Sequence, residues 1–188
     1  IDISFDAGIT PVRAIGRDAT ITGNKARMSM RQLYAKQEKF VVFEVKVPPG
    51  MAGKKRALAD VAVNYSNMIS KKKNTKREAV AVEFSAAKDA VASKQNRKVM
   101  EAAVEAIATD QSRRAVVLRD QGKVQEAEKV LQTNAAYLKQ EAQRLKSQKL
   151  DNYSKKNYED SVNIKHDYEK ARKTMRDDQT KNSMQRGW

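Results

Sequence analysis

Histidine, cysteine and paired carboxylate side chains most often carry catalysis or hold metals, and this chain has few sets of them that could act together. It has one histidine, His166, and no cysteine, so it cannot assemble a histidine-based metal cluster or a Ser-His-Asp triad. The carboxylate pairs Glu159-Asp160 and Asp177-Asp178 are sequence neighbours, which point in different directions on a helix. The sequence therefore predicts no catalytic, cofactor-binding or metal site, and a protein that is not an enzyme.

Basic side chains are the first candidates for binding. The chain has a net charge of +15 and a pI near 9.9, and three basic runs contain Lys54, Lys55 and Arg56, then Lys71, Lys72 and Lys73, then Lys76 and Arg77. On one face they would neutralise phosphates of nucleic acid or of an anionic lipid surface. All three fall where hairpin loops are predicted, without interleaved aromatic residues, so solvated loop charge is the favoured interpretation.

Aromatic residues of the second half are candidates for binding a protein partner, since such residues often anchor interfaces. Four of them are Tyr153, Tyr158, Tyr168 and Trp188. Packing inside the protein is the simpler interpretation for the tyrosines. Trp188, at the end of a charged tail, has no predicted core to enter.

The predicted secondary structure that positions these residues changes from strands to helices near Ser85. Before it, apolar residues recur with a period of two, most clearly from Phe40 to Val47 and again from Ala57 to Tyr65 and Val80 to Phe84. Further strand candidates are Ile1 to Phe5, as an edge strand, and two segments, 12–21 and 26–33. About six short strands separated by turns predict an antiparallel β-sandwich.

After Ser85, a predicted N-cap, the period becomes that of a helix. One stripe comprises Met100, Val104, Ile107, Gln111, Ala115 and Leu118, and a second comprises Ala127, Leu131, Asn134, Leu138, Ala142 and Leu145. Gly122 lies between them, where a left-handed residue ends a helix. The pattern predicts an αα-hairpin in which Asn134 is partly solvated or pairs with Gln111. The turn resembles that of a tetratricopeptide repeat, but the period of 34 residues does not recur, which favours a single hairpin.

From these periods we predict an α+β chain of three parts: a sandwich over 1–86 that is incomplete at its N-terminus, a helical hairpin over 87–150, and a C-terminal helix with a tail over 151–188. The third helix is placed at 152–176 and a frayed tail at 177–188. The boundary between strands and helices is predicted near 85–94. No run of ~20 apolar residues is present to cross a bilayer, and the start, IDISFDAGIT, lacks the pattern of a signal peptide. Because the sequence begins at Ile1 without an initiator Met and directly in a predicted strand, we expect a fragment or a processed product.

Three stretches carry a family resemblance: SMRQLYAKQEKFVVFEVKVP at 29–48, LRDQGKVQEAEKVLQTNAAYLKQEAQRL at 118–145 and ARKTMRDDQ at 171–179. Together they resemble the region that follows the von Willebrand factor A domain in bacterial proteins of the Ca-activated chloride channel homologue type. The resemblance implies an ancillary sandwich and helical tail, with an A domain upstream as one partner and a location in the bacterial cell envelope or outside the cell.

In that family the A domain binds a divalent cation through an Asp-x-Ser-x-Ser loop. The loop is missing here, and Asp151-Asn152-Tyr153-Ser154 does not match it. The resemblance therefore implies no cofactor in this chain and a divalent cation only in the A domain.

Two hypotheses follow. The first is a structural and protein-interaction region, in which the hairpin presents a helical face to another, unidentified protein. The second is binding of a polyanion, either nucleic acid or an anionic lipid surface, through the basic residues.

Overall fold

The computed structural model describes residues 1–34 and 37–184, and the chain forms two compact units that divide between Gln95 and Asn96. The first is called the sheet unit and the second the helical unit. The division lies one residue beyond the predicted boundary region.

In the sheet unit, residues 1–34 and 37–95 form seven strands in two antiparallel sheets. The larger sheet has the order β3-β4-β1-β6-β7, and the smaller one pairs β2 with β5. The strands are β1 (Asp2–Phe5), β2 (Thr10–Ile15), β3 (Thr20–Thr22), β4 (Lys25–Arg27), β5 (Val42–Lys46), β6 (Lys55–Ser66) and β7 (Lys73–Glu83).

The core of the sheet unit lies between these two sheets. Ile3, Phe5 and Ala59 of the larger sheet are buried, and Phe43 and Val45 of the smaller sheet pack against them. The rings of Phe5 and Phe43 meet edge to face with centroids 5.9 Å apart. Alternation along β1, β5 and β6 produces this arrangement, because every second side chain points to the same face. The prediction of an antiparallel sandwich followed by helices is confirmed.

Two strand predictions need correction. The segment Ile1 to Phe5 was expected at an edge, but β1 pairs with β4 on one side and β6 on the other. The edges of the larger sheet are β3 and β7. The segment 26–33 is strand only as far as Arg27, after which Met28 exchanges backbone hydrogen bonds with Ile1.

A short helix ends the sheet unit, and the described part of the helical unit, 96–184, forms four longer helices. They are α1 (Lys88–Lys94), α2 (Arg97–Asp120), α3 (Val124–Leu145), α4 (Gln148–His166) and α5 (Tyr168–Met184). The predicted N-cap is wrong, since Ser85 precedes the α1 cap position, Ala87. The long helix α2 has Asn96 as its N-cap, and the Asn96 side chain accepts a hydrogen bond from the Val99 N–H.

The turn of the hairpin agrees with the sequence prediction. Gly122 has φ = 78°, and its N–H donates to the carbonyl of Arg119 while the Lys123 N–H donates to that of Leu118. These two bonds form a Schellman motif. The end of α3 has the same bonding with Lys146 in the left-handed conformation, at φ = 48°.

The helical unit is held by two apolar clusters that join all four helices. Val104, Leu138 and Leu150 belong to the first cluster. The second packs Leu131 with Val116, Ile164 and Met175. The hairpin face is therefore covered by α4 and α5.

The apolar stripe of α3 matches the prediction residue by residue, since all six predicted positions are buried. That of α2 is displaced: Ala108, Thr109, Ser112 and Val116 are buried, whereas Ile107, Gln111 and Leu118 are half-buried. The displacement arises because α2 also packs against α5, which meets Thr109 and Ser112 with polar side chains.

The C-terminal segment differs from the predicted single helix and frayed tail. Two helices are present, with Asp167 between them in a non-helical conformation. The second, α5, continues to Met184 and buries Asp178 and Gln179, which lie in the predicted tail. The predicted part of the tail beyond Met184 lies outside the described residues.

Candidate interaction surfaces

The hairpin of β6 and β7 extends beyond the rest of its sheet. Pairing of β6 with β1 ends at Asp2 opposite Ala62. Beyond it, four pairs from Val63↔Lys76 to Ser66↔Lys73 join β6 and β7, adding roughly 14 Å at ~3.4 Å per residue. We call residues 63–77 the ribbon.

The basic runs divide between the two ends of this hairpin. Five of the predicted cations lie on the ribbon, namely Lys71, Lys72, Lys73, Lys76 and Arg77. Lys54, Lys55 and Arg56 lie at the other end, where Lys55 pairs with Glu83, about 34 Å away along ten residues of β6. The prediction that all three runs occupy loops is wrong, because most of these residues lie within β6 and β7.

The ribbon carries one sign of charge. Its 15 residues include five cations and no Asp or Glu. All residues from Lys71 to Arg77 are exposed. The local field at this end of the hairpin is therefore positive, which favours an anionic partner.

The apex of the ribbon exposes two large apolar residues. Ile69 is 95% exposed and Met68 is 65% exposed. The Asn67 side-chain oxygen accepts hydrogen bonds from the N–H groups of Ile69 (2.9 Å) and Ser70 (3.0 Å), and the Asn67 N–H donates to the Lys72 carbonyl. This turn holds the two side chains outward. Sequence reasoning missed them, although an apolar pair inside a turn between two strands was the available signal.

The other half of β7 is an open apolar edge. Residues 78–83 read Glu-Ala-Val-Ala-Val-Glu, and Val80 is 42% exposed. β7 has 11 residues and pairs with β6 on one side, while in the described chain no strand pairs with its other side. The opposite edge of the same sheet, β3, has three residues. Natural sheets keep edges short or charged, and the edge formed by β7 is long, with the charges of this half confined to its two ends, Glu78 and Glu83.

The four predicted aromatic anchors lie in different surroundings. Tyr158 is 61% exposed on α4. Tyr153 packs against the core, its hydroxyl 3.2 Å from that of Thr109, and burial raises its pKa to about 12. The Tyr168 hydroxyl donates to Asp120, and its ring lies 4.5 Å from the Arg119 guanidinium. Trp188 lies outside the described residues.

A buried polar network links the helices of the helical unit. Asn134, 3% exposed, donates to the carbonyl of Ala108 (2.9 Å) and to the side-chain oxygen of Asn157 (2.8 Å). Its predicted partner, Gln111, and its predicted partial solvation are both wrong. Gln179 of α5 donates to Ser112 at 3.0 Å. Such bonds fix one arrangement of the helices, since sliding would leave buried amides without partners.

A carboxyl group is buried where α4 meets α5. Asp160 is 7% exposed, and burial raises its pKa to about 7, with Asp178 and Glu159 adding to the rise and Lys156 opposing it. Lys156 forms an ion pair with Asp178 at 2.5 Å. The group lines a cavity of about 180 Å³. Asp160 therefore ionises near neutral pH and makes the stability of this unit depend on pH.

The described residues hold no group of three or more His, Cys, Asp or Glu side chains placed to bind a metal ion, and His166 is exposed. Among the described helices, none is both long enough and apolar enough to span a membrane. Comparison with protein-family models, with curated proteins and with solved structures found no match in any of the three.

Proposed function

We propose that this chain is a non-enzymatic structural and protein-interaction region, in which the edge of β7 accepts an extended strand of a partner protein. The observation that carries this is the open edge at residues 78–83. The helical unit serves as a closed support, because the apolar face of its hairpin is covered by α4 and α5.

Strand addition fits the chemistry of this edge. The outward backbone groups of β7 supply hydrogen bonds to an added strand, while the side chains that flank them set its specificity. Ala79 and Ala81 are small, so a partner backbone approaches closely, and Val80 offers an exposed apolar contact. The partner segment is therefore an extended one with apolar residues at alternate positions.

A peptide with the sequence of residues 55–61 tests this proposal, because the same sequence pairs with residues 78–83 of β7 inside the sheet. Titration calorimetry of the full chain with this peptide is expected to show binding. Two N-methylated versions serve as matched controls, each blocking alternate N–H groups. One version should lose binding and the other should keep it, since alternate amides of a strand face its neighbour. Equal binding of both versions, or no binding of the parent peptide, would contradict the proposal.

Polyanion binding is the second candidate, and the acid-free ribbon favours it. Five cations within 15 residues attract an anionic surface, and that attraction weakens with salt. The expected assay is retention on immobilised heparin by the full chain. Lys71→Ser/Lys72→Ser/Lys73→Ser should elute at lower salt than Lys123→Ser/Lys129→Ser/Lys173→Ser, which removes equal charge from exposed sites of the helical unit.

We also propose a place for this chain within a longer protein. On the resemblance of the three stretches described above, we propose that it follows a von Willebrand factor A domain in a bacterial envelope or exported protein. The nucleotide sequence upstream of the codon for Ile1 tests this directly. An A domain with its Asp-x-Ser-x-Ser loop is expected there, and an unrelated upstream sequence would contradict it.

A further inference from the structure

The ribbon combines an exposed apolar apex with a cluster of lysines, and each of these two features is unfavourable in water. The side chain of Ile69 is 95% exposed, and contact with water does not stabilise it. The positive charges of clustered lysines without acidic neighbours repel one another. An anionic lipid interface satisfies both, because it offers hydrocarbon below a layer of phosphates. We propose that the apex of the ribbon inserts into the interface of an anionic membrane, with Met68 and Ile69 among the acyl chains and the lysines at the headgroups.

The spacing of the two features matches the depth of that interface. Lys71, Lys72 and Lys73 follow Ile69 by two to four residues, at the base of the turn that the Asn67 N–H closes on the Lys72 carbonyl, and each carries its ammonium group on a flexible four-carbon stem. Apolar residues of interfacial segments enter about 5–10 Å into the boundary between headgroups and acyl chains. The ammonium groups therefore reach the phosphates when Ile69 reaches the hydrocarbon.

The turn also prepares the apex for insertion. The two bonds accepted by the Asn67 side chain hold the backbone N–H groups of Ile69 and Ser70, so these donors need not be stripped of water without a partner. Tyr65, 44% exposed, lies on the ribbon just above the apex. Tyrosine is a residue that favours the headgroup region.

Duplex DNA is the competing ligand for a basic ribbon, and these residues suit it less. Four of the five cations are lysines, whereas bidentate contacts to bases or narrow grooves favour arginine. Three of the five follow the apex directly instead of being spaced along the strands. The inference rests on the second candidate function, polyanion binding, and narrows it to lipid.

Vesicle co-sedimentation of the full chain tests the inference at about 0.1 M salt. Vesicles of phosphatidylcholine with roughly 30% phosphatidylglycerol are compared with vesicles of phosphatidylcholine alone. Binding is expected only to the anionic vesicles. Lys71→Ser/Lys72→Ser/Lys73→Ser should weaken it about 100-fold, whereas the triple control at Lys123, Lys129 and Lys173 should weaken it much less. Ile69→Ser should weaken it about tenfold, while Val162→Ser, an exposed apolar site on α4, should leave it unchanged.

Insertion has its own readout, because the chain has no cysteine. An environment-sensitive fluorophore on Ile69→Cys should shift its emission to the blue with anionic vesicles, and the same label on Thr22→Cys, exposed on β3, should not. Heparin retention and duplex DNA binding without vesicle binding would overturn the lipid inference and leave polyanion binding standing. Loss of heparin retention as well as vesicle binding would overturn both. Vesicle binding that Ile69→Ser does not weaken would overturn insertion.

Discussion

The helical unit buries polar side chains, whereas the sheet unit exposes apolar ones. Asn157 is fully buried in the helical unit and accepts a hydrogen bond from Asn134. In the sheet unit, Ile69 and Met68 stand in solvent and Val80 lies on an open edge. A body that pairs its buried amides across its own helices has less need of a partner, and one that leaves apolar residues and a strand edge exposed is suited to binding. This difference is the reason we propose support for the helices and contact for the sheet.

The largest expected effect on stability comes from a substitution in the core of the helical unit. Leu131 is fully buried against Ile164 and Met175, so Leu131→Ala should lower the free energy of unfolding by about 2–5 kcal/mol. Chemical denaturation followed by helical circular dichroism measures this. Val162→Ala, at an exposed site of α4, is the control and should change it by less than about 0.5 kcal/mol. An unchanged stability of Leu131→Ala would mean that the four helices do not share one core.

Asp160 predicts a pH dependence of the same unit. Its pKa rises from 3.8 to about 7 on folding, so the folded state binds its proton more tightly than the unfolded state does. The associated stability is fully present below about pH 4 and is lost as pH rises to about 7, with a total on the order of 4 kcal/mol at ~1.4 kcal/mol per pKa unit.

Denaturation midpoints of the helical circular dichroism signal between pH 4 and 8 measure this dependence. Asp160→Asn should flatten the profile over that interval, because the amide does not ionise. Glu169→Gln, which removes an exposed carboxyl of α5, should keep the slope of the original chain. An Asp160→Asn profile as steep as the original would assign the dependence to another group.

The smallest expected effects on stability are at the ends of α2 and α3, where the chain forms the same type of turn. Gly122→Val should cost about 1–2 kcal/mol through left-handed strain, since a Cβ there meets no atom within 4 Å. Lys146 has φ = 48°, and Lys146→Gly should stabilise the unit by up to about 1 kcal/mol. Thermal unfolding gives both signs. Equal signs for the two variants would show that backbone strain does not control these turns.

The sequence predicted the elements whose burial is apolar and periodic. The α3 stripe and β6 were found because every second or every third to fourth residue is hydrophobic, and Gly122 marked the turn between two such stripes. The α5 helix was missed beyond Arg176 because its buried residues include Asp178 and Gln179, whose hydrogen-bond partners lie on other helices. Polar burial of this kind has no signature within one helix.

Strand order and the candidate surfaces were harder to predict for a related reason. Alternation in residues 1–5 indicated a strand but not its two neighbours, since pairing with β4 and β6 depends on distant segments. The same limit hid the open edge of β7, because an alternating pattern does not tell a central strand from an edge. The basic residues of the ribbon were found from composition, but their separation from Lys54, Lys55 and Arg56 required the length of β6.

Hydrogen–deuterium exchange of the full chain, with and without the peptide of residues 55–61, most directly tests the assignment of contact to the sheet unit. Without peptide, the amides of α2 to α5 should exchange slowly, and the outward amides of residues 78–83 should exchange fast. With peptide, new protection should appear in residues 78–83 and nowhere in α2 to α5. Protection that appears instead on α4 around Tyr158, with β7 unchanged, would contradict the account and move the contact surface to the helices.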